Sequence, residues 1–397
     1  MPFDPAHAAG HFARRHDEIR DWRHELHRHP EMAFKERWTS AFVAERLAGF
    51  GYEVTRGIGG TGVVATRRGP GEAAIGLRAD MDALPMQERN VFGHKSANDG
   101  CMHACGHDGH TAMLLAAAQY LSTEGGDLPG TVHFIFQPAE EGEAGAAAMI
   151  RDGLFDRFPM QAVYGLHNWP GLEEGAIAAR PGAQMAAVDR FDIVLRGQGA
   201  HGAMPHQGQD TLLAASALVL QLQGIVARNV NPLDTAVVSV TQIHGGEAYN
   251  VLPAEVVLRG GTRHFTEAVQ AIVERRLRET CAGVAATYGL EADVRYRRGY
   301  PATVNSASET AVALRAAART VGEARTFADR PPSMASEDFS FMLQAKPGCY
   351  AWIGAGDASG GRTLHSPVYD FNDKLLPVGA AYWVNLAHEA LGALSAG

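Results

Sequence analysis

The chain has 397 residues, of which 46% are hydrophobic and 20% are charged. This length exceeds what one compact hydrophobic core usually serves, so we expect two domains rather than one. The formal net charge of -9 leaves no basic surplus for a nucleic-acid backbone or an acidic membrane surface, which argues against both as partners.

The first part of the chain alternates between helical and strand patterns. Apolar periodicity predicts helices over 12–27, 35–48, 111–121 and 144–151. Runs of β-formers predict strands over 62–66, 74–77, 131–136 and 162–166. This alternation favours an α/β fold with a mainly parallel sheet that is covered by helices.

A block with a different order of predicted helices and strands begins near residue 185. Its elements are predicted in the order strand, helix, strand, strand, helix, strand, over 191–195, 211–227, 236–242, 255–258, 266–288 and 292–296. This β-α-β-β-α-β order is typical of a small α/β sandwich.

After residue 298 the helix and strand signals resume, and the chain ends in a helix predicted over 379–391. Candidate metal ligands occur on both sides of the middle block, so we interpret that block as an insertion. The expected organisation is a catalytic domain of residues 1–184 and 300–397, interrupted by an inserted domain of residues 185–299.

The N-terminal segment has neither an apolar leader nor a cleavage pattern, and no stretch approaches the roughly 20 apolar residues of a membrane span. We therefore expect a cytoplasmic protein. Four cysteines are too few for a disulfide framework in so long a chain. We expect them to be thiols: Cys101, Cys105, Cys281 and Cys349.

A dense group of candidate metal ligands lies in the segment CMHACGHDGH, residues 101–110, just before an apolar helix. Thiolate and imidazole suit zinc and neighbouring transition metals, whereas magnesium and calcium prefer oxygen ligands. Each residue taken alone could be a buried structural cysteine or a hydrogen-bonded core histidine. Cys101 and Cys105 could also form half of a structural zinc site, although no second cysteine pair has a suitable spacing.

Further candidates follow predicted strands. The run FIFQPAEEG ends in Glu140 and Glu141, whose side chains would point opposite ways on an extended segment, so that one can bind metal while the other acts as a base. His167 ends the next strand, and the carboxyl ends of strands are where open α/β sheets carry their sites. A solvated acidic turn is the alternative for the glutamate pair, as a solvated loop is for His365.

These motifs resemble the aminoacylase and carboxypeptidase-like dinuclear metallohydrolases, in the branch of hippurate hydrolase, N-acyl-amino-acid amidohydrolases and plant auxin-conjugate hydrolases. The resemblance runs almost end to end, over LHRHPEMAFKE, IGLRADMDALPMQE, MHACGHDGHTAMLL, FIFQPAEEG, GLHNWP, GAHGAMPHQGQD, YNVLPAEVVLRGGTR, SEDFSFML and LHSPVYDFND. It implies a zinc-peptidase-like catalytic domain with an inserted lid that dimerises, and metal-dependent hydrolysis of N-acyl amino acids.

The resemblance also implies a role for each site residue. The expected ligands of two divalent transition metal ions, zinc, manganese, cobalt or nickel, are Cys105, His107, Glu141, His167 and His365. Cys105 would bridge the metals and Glu140 would be the general base. The wider family has a His-x-Asp motif where this chain has Arg78, Ala79 and Asp80, so Asp80 is expected to orient an imidazole instead of binding metal.

The middle block supplies candidates for substrate binding. By the same resemblance, His201 stabilises the oxyanion, often across a homodimer or higher homo-oligomer, while Asn250 and Arg263 bind the substrate carboxylate. A planar guanidinium suits a carboxylate, although Arg263 could also be a surface residue at a strand end. His206 is expected to be a surface residue.

Two other functions fit part of this set of residues. Cys105 could be a nucleophile with a histidine base, but this would leave Glu140, Glu141, His167 and His365 unexplained. The chain could also be a non-catalytic binder of acylated amino acids, against which the intact Glu140 argues. The acyl group, the amino acid and the identity of the metal stay open at this point.

Overall fold

The computed structural model describes residues 4–359 and 363–396. The chain forms two compact units. The first unit comprises Met1–Gln184, Val304–Pro331 and Asp338–Gly397. The second unit comprises Met185–Thr303 and Pro332–Glu337.

The helices, in chain order, are α1 Pro5–Arg14, α2 His16–Arg28, α3 Arg37–Gly49, α4 His107–Thr123, α5 Gly145–Arg151, α6 Leu154–Arg157, α7 Thr211–Asn229, α8 Glu267–Tyr288, α9 Ala307–Val321, α10 Ser340–Ala345 and α11 Leu375–Ala396. The strands are β1 Glu53–Ile58, β2 Gly62–Arg67, β3 Ala74–Asp80, β4 Thr131–Gln137, β5 Ala162–Trp169, β6 Ile177–Ala178, β7 Gly182–Met185, β8 Ala187–Arg196, β9 Ala200–His201, β10 Ala236–His244, β11 Val251–Leu252, β12 Glu255–His264, β13 Glu291–Arg298, β14 Thr303–Asn305, β15 Thr326–Phe327 and β16 Gly348–Gly354.

An eight-stranded sheet in the order β1-β2-β4-β3-β5-β16-β6-β15 organises the first unit. Its central strands β4, β3, β5 and β16 are parallel. Strands β1 and β2 pair antiparallel with their neighbours, and β6 pairs antiparallel with β16 and parallel with β15. Every residue of β3 and β16 is buried, as expected for strands covered on both faces. The parallel centre places the ends of β3, β4 and β5 at one edge of the sheet, which is where the candidate site lies.

The first unit's hydrophobic core is dense around two long helices, α4 and α11, which pack against each other and against β3. Both helices are apolar on nearly every side, and most of their residues are buried. A helix buried all round is a core element and does not need a polar face. The core therefore holds the N-terminal end of α4, with its cluster of histidines, rigidly against the sheet.

The second unit is a four-stranded antiparallel sheet in the order β10-β12-β8-β13, packed on α7 and α8. Its own core includes Phe191 on β8, Leu222 on α7 and Leu277 on α8. By length and composition alone, α7 is also the one helix in the described ranges that could span a membrane. One face of α7 joins this core through Leu218 and Leu222, while Leu220 is 75% exposed.

The predicted α/β class with a mainly parallel sheet is confirmed, and the element bounds differ in places. The single helix predicted over 12–27 is two helices that meet at Arg15, and the first begins at Pro5 because Asp4 accepts the Ala6 N–H at 2.9 Å. Strand β1 was not predicted. Helix α4 begins four residues before the predicted 111, at His107.

Candidate metal centre

The turn Cys105–Gly106–His107 presents two candidate ligands at the start of α4. Gly106 adopts φ +95°, a left-handed conformation that favours glycine. A Cβ at this position would lie 2.3 Å from Asn168 Oδ1 and 2.9 Å from the Tyr369 hydroxyl, so no larger residue fits. The turn therefore depends on glycine to place the thiol and the imidazole on either side of it.

Two buried imidazoles are held in matching tautomers. Nδ1 of His107 lies 2.8 Å from the Asp82 carbonyl oxygen, and Nδ1 of His167 lies 2.7 Å from the Asn168 carbonyl oxygen. A ring nitrogen that donates to a carbonyl carries the proton, which leaves the Nε2 lone pair available for a metal. Nε2 of His167 lies 3.4 Å from Cys105 Sγ, and Nε2 of His107 is buried with no hydrogen-bond partner in the described part of the chain. Burial lowers the pKa of His167 well below its usual range, which favours the neutral imidazole.

The glutamate pair follows β4 in a tight turn. Ala139, just before the pair, has φ +55°, which is uncommon for a residue with a Cβ. The Asp82 carboxylate accepts both backbone N–H groups of the pair, at 3.0 Å from Glu140 and 2.9 Å from Glu141. One buried aspartate thus holds the backbone of both candidate functional carboxylates and, through its carbonyl, the ring of His107.

His365 approaches from a loop near the C-terminal end of the chain. Its φ is +62°, and its backbone N–H donates to the Ala104 carbonyl at 2.8 Å, which ties this loop to the Cys105 turn. Its Nε2 lies 3.3 Å from Glu141 Oε1, and its side chain is 53% exposed. Strained conformations of non-glycine residues cluster at functional sites. The left-handed backbone of His365 and its contact with Glu141 therefore agree with a role in the cluster.

The sequence-predicted ligands converge in space. Groups whose ligand atoms all lie within 4.8 Å of one another, and which could hold a metal ion, include Cys105/His107/His167, Cys105/Glu141/His365, His107/Glu140/Glu141 and Asp80/His107/His110. The first two groups together contain all five predicted ligands and have only Cys105 in common, as a ligand shared by two ions would, although His107 and Glu141 also belong to more than one group each. The predicted base Glu140 also lies within ligand distance, so geometry alone does not separate its role from that of Glu141.

The electrostatics of the cluster suit a cation. Burial, followed by Glu141, raises the pKa of the Cys105 thiol well above its usual range. Burial alone would lower the pKa of His107, but the carboxylates of Asp80 and Asp82 outweigh it and raise the pKa to about 10. A divalent cation would take the place of these protons, because a coordinating thiol and imidazole bind in their deprotonated forms. The mixture of sulfur, nitrogen and carboxylate donors fits a transition metal.

Asp80 lies beside the cluster and contacts two imidazoles. Its Oδ1 is 2.6 Å from Nδ1 of His110, and its Oδ2 is 3.8 Å from Nε2 of His107. Arg78 donates to Asp80 Oδ2 at 2.7 Å and to Asp338 Oδ1 at 3.1 Å, all three side chains being fully buried. His110 continues the network to Asn168 Oδ1 at 2.7 Å.

Sequence reasoning missed the parts played by Asp82 and His110. The sequence places His110 in the histidine-rich segment 101–110 without indicating its role. The only local signal for Asp82 is the repeated aspartate of Asp80-Met81-Asp82 at the end of β3. Its contacts with the glutamate pair bridge 58 and 59 positions in the chain, so no local pattern could predict them.

The predicted substrate-binding residues all lie in the second unit. His201 is on β9, opposite Val251 on β11, and the carbonyl of Asn250 accepts the Gly202 N–H at 2.7 Å, so His201 and Asn250 are neighbours. Arg263 is half-buried on β12, where Nη1 donates to Ser336 Oγ at 2.9 Å. It makes no ion pair with any residue that the structure describes.

A sheet edge that brings together a thiol, imidazoles and carboxylates is typical of metal-dependent hydrolases. The chain belongs to peptidase family M20/M25/M40, whose profile matches residues 76–389. It is 40% identical to the hippurate hydrolase of Campylobacter jejuni over 371 residues, which cover 93% of this chain and 96% of that protein.

Two further comparisons agree with the family assignment. The chain is 44% identical to an N-acyl-L-amino acid amidohydrolase of Geobacillus stearothermophilus over 288 residues, 72% of this chain and 77% of that one. A crystal structure of a dinuclear metal-binding M20 peptidase of Bacillus subtilis superposes with a TM-score of 0.83 at 33% identity, and the match covers 95% of this chain and 98% of that one. The predicted family, fold class and metal dependence are thereby confirmed.

Proposed function

We propose that this protein hydrolyses the amide bond of N-acyl amino acids, with two divalent transition metal ions held by Cys105, His107, Glu141, His167 and His365. The observation that carries the proposal is the convergence of these side chains around one shared thiol, with a further carboxylate beside them. The hippurate hydrolase and amidohydrolase relatives support the choice of substrate class.

Glu140 is the general base of the proposed reaction. When bound, the two metals polarise the scissile carbonyl and make water more acidic. Glu140 then accepts a proton from the attacking water and delivers it to the leaving amine. Its Oε1 lies 3.3 Å from the backbone nitrogen of Asp338, and this contact holds the carboxylate in place between the two transfers.

The substrate's free carboxylate is assigned to Arg263, with help from Asn250. Arg263 supports this assignment because its guanidinium is half-buried and has no carboxylate partner in the described ranges. A planar guanidinium can donate two parallel hydrogen bonds to a carboxylate. His201, on β9, is assigned to the oxyanion that forms when water adds to the carbonyl.

A cysteine nucleophile is disfavoured. Reactive cysteines lie in surroundings that lower the thiol pKa. Burial and nearby carboxylates raise the pKa of Cys105, so without a cation this thiol stays protonated. A binder that has lost turnover is disfavoured because Glu140 is present and held next to the candidate ligands.

We also propose that two copies of the chain pair through the second unit. Strand β10 is an edge of the antiparallel sheet, and most of its residues are at least partly exposed. The adjacent α7 exposes Leu213 at 55% and Leu220 at 75%. An open edge next to apolar surface suits a two-fold contact, the commonest kind in homo-oligomers. Light scattering that shows only monomer at working concentration would contradict this pairing.

A cytoplasmic location is part of the proposal. The four cysteines are free and buried, and none forms a disulfide among the described residues. Thiols persist in reducing compartments, whereas secreted proteins tend to oxidise them.

The proposal is tested with a panel of N-acetyl and N-benzoyl amino acids. Protein stripped with a chelator should lose hydrolysis, and zinc, manganese, cobalt or nickel should restore it. The matched control is the same panel without the carboxyl group, that is, the corresponding N-acyl amines. Full activity of protein shown by elemental analysis to be metal-free would refute the mechanism, and no activity of the metal-loaded protein on any member would refute the substrate class.

A further inference from the structure

The segment LHRHPEMAFKE has no part in the mechanism described so far, although it is one of the distinctive motifs of the chain. It covers the end of α2, which stops at Arg28, and the connection to α3, which starts at Arg37. Glu36 is the last residue of that connection and is fully buried. Burying a carboxylate is costly unless its hydrogen bonds are satisfied, so its contacts indicate what it does.

Both oxygens of Glu36 are engaged by distant parts of the first unit. Oε1 accepts the Ala139 N–H at 2.8 Å, and Oε2 accepts the Thr61 hydroxyl at 2.5 Å. Ala139 is the residue with φ +55°, and on its other side its carbonyl accepts the Gly145 N–H at 2.9 Å. A left-handed residue with a Cβ persists only where its surroundings hold it. Glu36 is therefore one of the groups that hold Ala139.

The next two backbone amides continue the same pattern. The N–H groups of Glu140 and Glu141 donate to the two oxygens of Asp82, as described above. Three consecutive amides therefore converge on two buried carboxylates, Glu36 and Asp82, in the manner of a backbone anion nest. The direction of this turn sets where the side chains of Glu140 and Glu141 point.

We propose that Glu36 is a positioning residue, which directs Glu140 and Glu141 to the candidate metal centre by holding Ala139 in its left-handed conformation. Glu36 acts through the backbone of Ala139. The inference rests on the proposed function for the roles of Glu140 and Glu141, and its test includes metal binding, which is measured without substrate.

The charge of Glu36 is itself disfavoured. Burial raises the pKa of Glu36 to about 7, and although the hydrogen bond from Thr61 lowers it, the facing carboxylate of Asp82 raises it further. A carboxyl group thus lies where its ionisation is costly. Perturbed carboxyl groups are frequent at functional sites, which agrees with a role beyond packing.

The test compares Glu36→Ala with Glu36→Gln. Alanine removes the acceptor for Ala139, whereas glutamine keeps an oxygen for Ala139 and an amide that can donate to the Thr61 hydroxyl. We expect Glu36→Ala to lower zinc affinity, measured by calorimetry on chelator-stripped protein, and kcat by about 10–100-fold, the usual effect of losing a group that orients a ligand. KM should change little, and Glu36→Gln should stay close to wild type in both readouts.

Glu31→Ala is the matched control. Glu31 lies in the same connection and accepts the N–H groups of Trp38 and Thr39 at 3.1 and 2.9 Å, at the start of α3. Its loss should lower the melting temperature and leave zinc affinity and kcat unchanged. If Glu36→Ala behaves in the same way, losing only stability, the proposal is overturned. If Glu36→Ala does not fold, Thr61→Val removes one contact of Glu36 and should weaken zinc binding in the same direction; unchanged binding would then overturn the proposal.

A double mutant tests whether Glu36 acts through Ala139. Glycine adopts a positive φ without the Cβ clash, so Glu36→Ala should cost less zinc affinity in an Ala139→Gly background than in wild type. Equal losses of zinc affinity in both backgrounds would show that Glu36 does not act through the conformation of Ala139, and would overturn the proposal. Wild-type protein that binds zinc but hydrolyses no N-acyl amino acid would refute the proposed function alone.

Discussion

Glu140 and Glu141 are chemically identical neighbours to which we assign different roles, and a pair of substitutions tests that assignment. The backbone of both is held by Asp82, so neither Glu140→Gln nor Glu141→Gln removes the contacts that shape the turn. Glutamine keeps the size of glutamate and loses its charge. Any difference between the two variants therefore reports on the side chains.

We expect the Glu140→Gln variant to keep its metal content and to have a much lower kcat. The new amide oxygen can still accept the Asp338 N–H, 3.3 Å from Oε1 in the wild-type protein, so the side chain should stay in place. What disappears is the proton acceptor. General acid–base catalysis contributes roughly 10²–10⁴-fold, so kcat should fall by this factor, which raises the barrier by about 3–5 kcal/mol.

Glu141→Gln should instead lose metal. Its Oε1 lies 3.3 Å from His365 Nε2, and the two residues form a ligand group with Cys105. A neutral amide is a weaker ligand than a carboxylate. The assay measures metal content by elemental analysis and kcat on the same preparations. Loss of metal by Glu140→Gln, together with a metal-replete but inactive Glu141→Gln, would show that the assignment is inverted, and two active variants would place the site elsewhere.

Three further predictions follow from the same structure. The Cys105→Ser variant should stay folded but contain less metal than wild type. Unchanged metal content and an unchanged rate of hydrolysis would refute a shared thiolate ligand. Arg263→Ala should lower kcat/KM strongly for N-acyl amino acids and much less for the corresponding amides, which lack the carboxylate; equal losses would indicate a structural role. His27 is buried, and although burial lowers its pKa, hydrogen bonds from its ring to Asp108 and Glu88 outweigh this and raise the pKa from 6.5 to about 9. The stability that His27 contributes is thus fully present below pH 6.5 and lost as pH rises through 9. Denaturant unfolding should therefore show that the free energy of unfolding falls less with rising pH in His27→Gln than in wild type.

Much of the candidate centre could be predicted because its residues follow local patterns. Cys105 and His107 lie within three positions of each other, and Glu140 and Glu141 directly follow an apolar strand. The chemistry of these side chains and their places at the ends of elements are properties of short segments. The alternation of helix and strand is local in the same sense, and it predicted three of the four central parallel strands, β3, β4 and β5.

Element boundaries were predicted less well where tertiary contacts decide them. Strand β1 has a mixed burial pattern and exists as an edge partner of β2, with which it pairs antiparallel. The early start of α4 depends on Gly106, whose left-handed turn fits against Asn168 and Tyr369, residues far along the chain. No apolar periodicity marks a start of this kind.

The sequence by itself determined which chemical groups the protein brings to its centre and in which class of fold they lie, because residue types, periodicity and motifs are local. Only the tertiary structure decided how those groups are held. Asp82 spans 58 positions to reach Glu140, and Glu36 spans 103 to reach Ala139. Such contacts exist because the ends of parallel strands and their loops meet at one edge of the sheet, where buried backbone amides need acceptors that the adjoining chain does not supply.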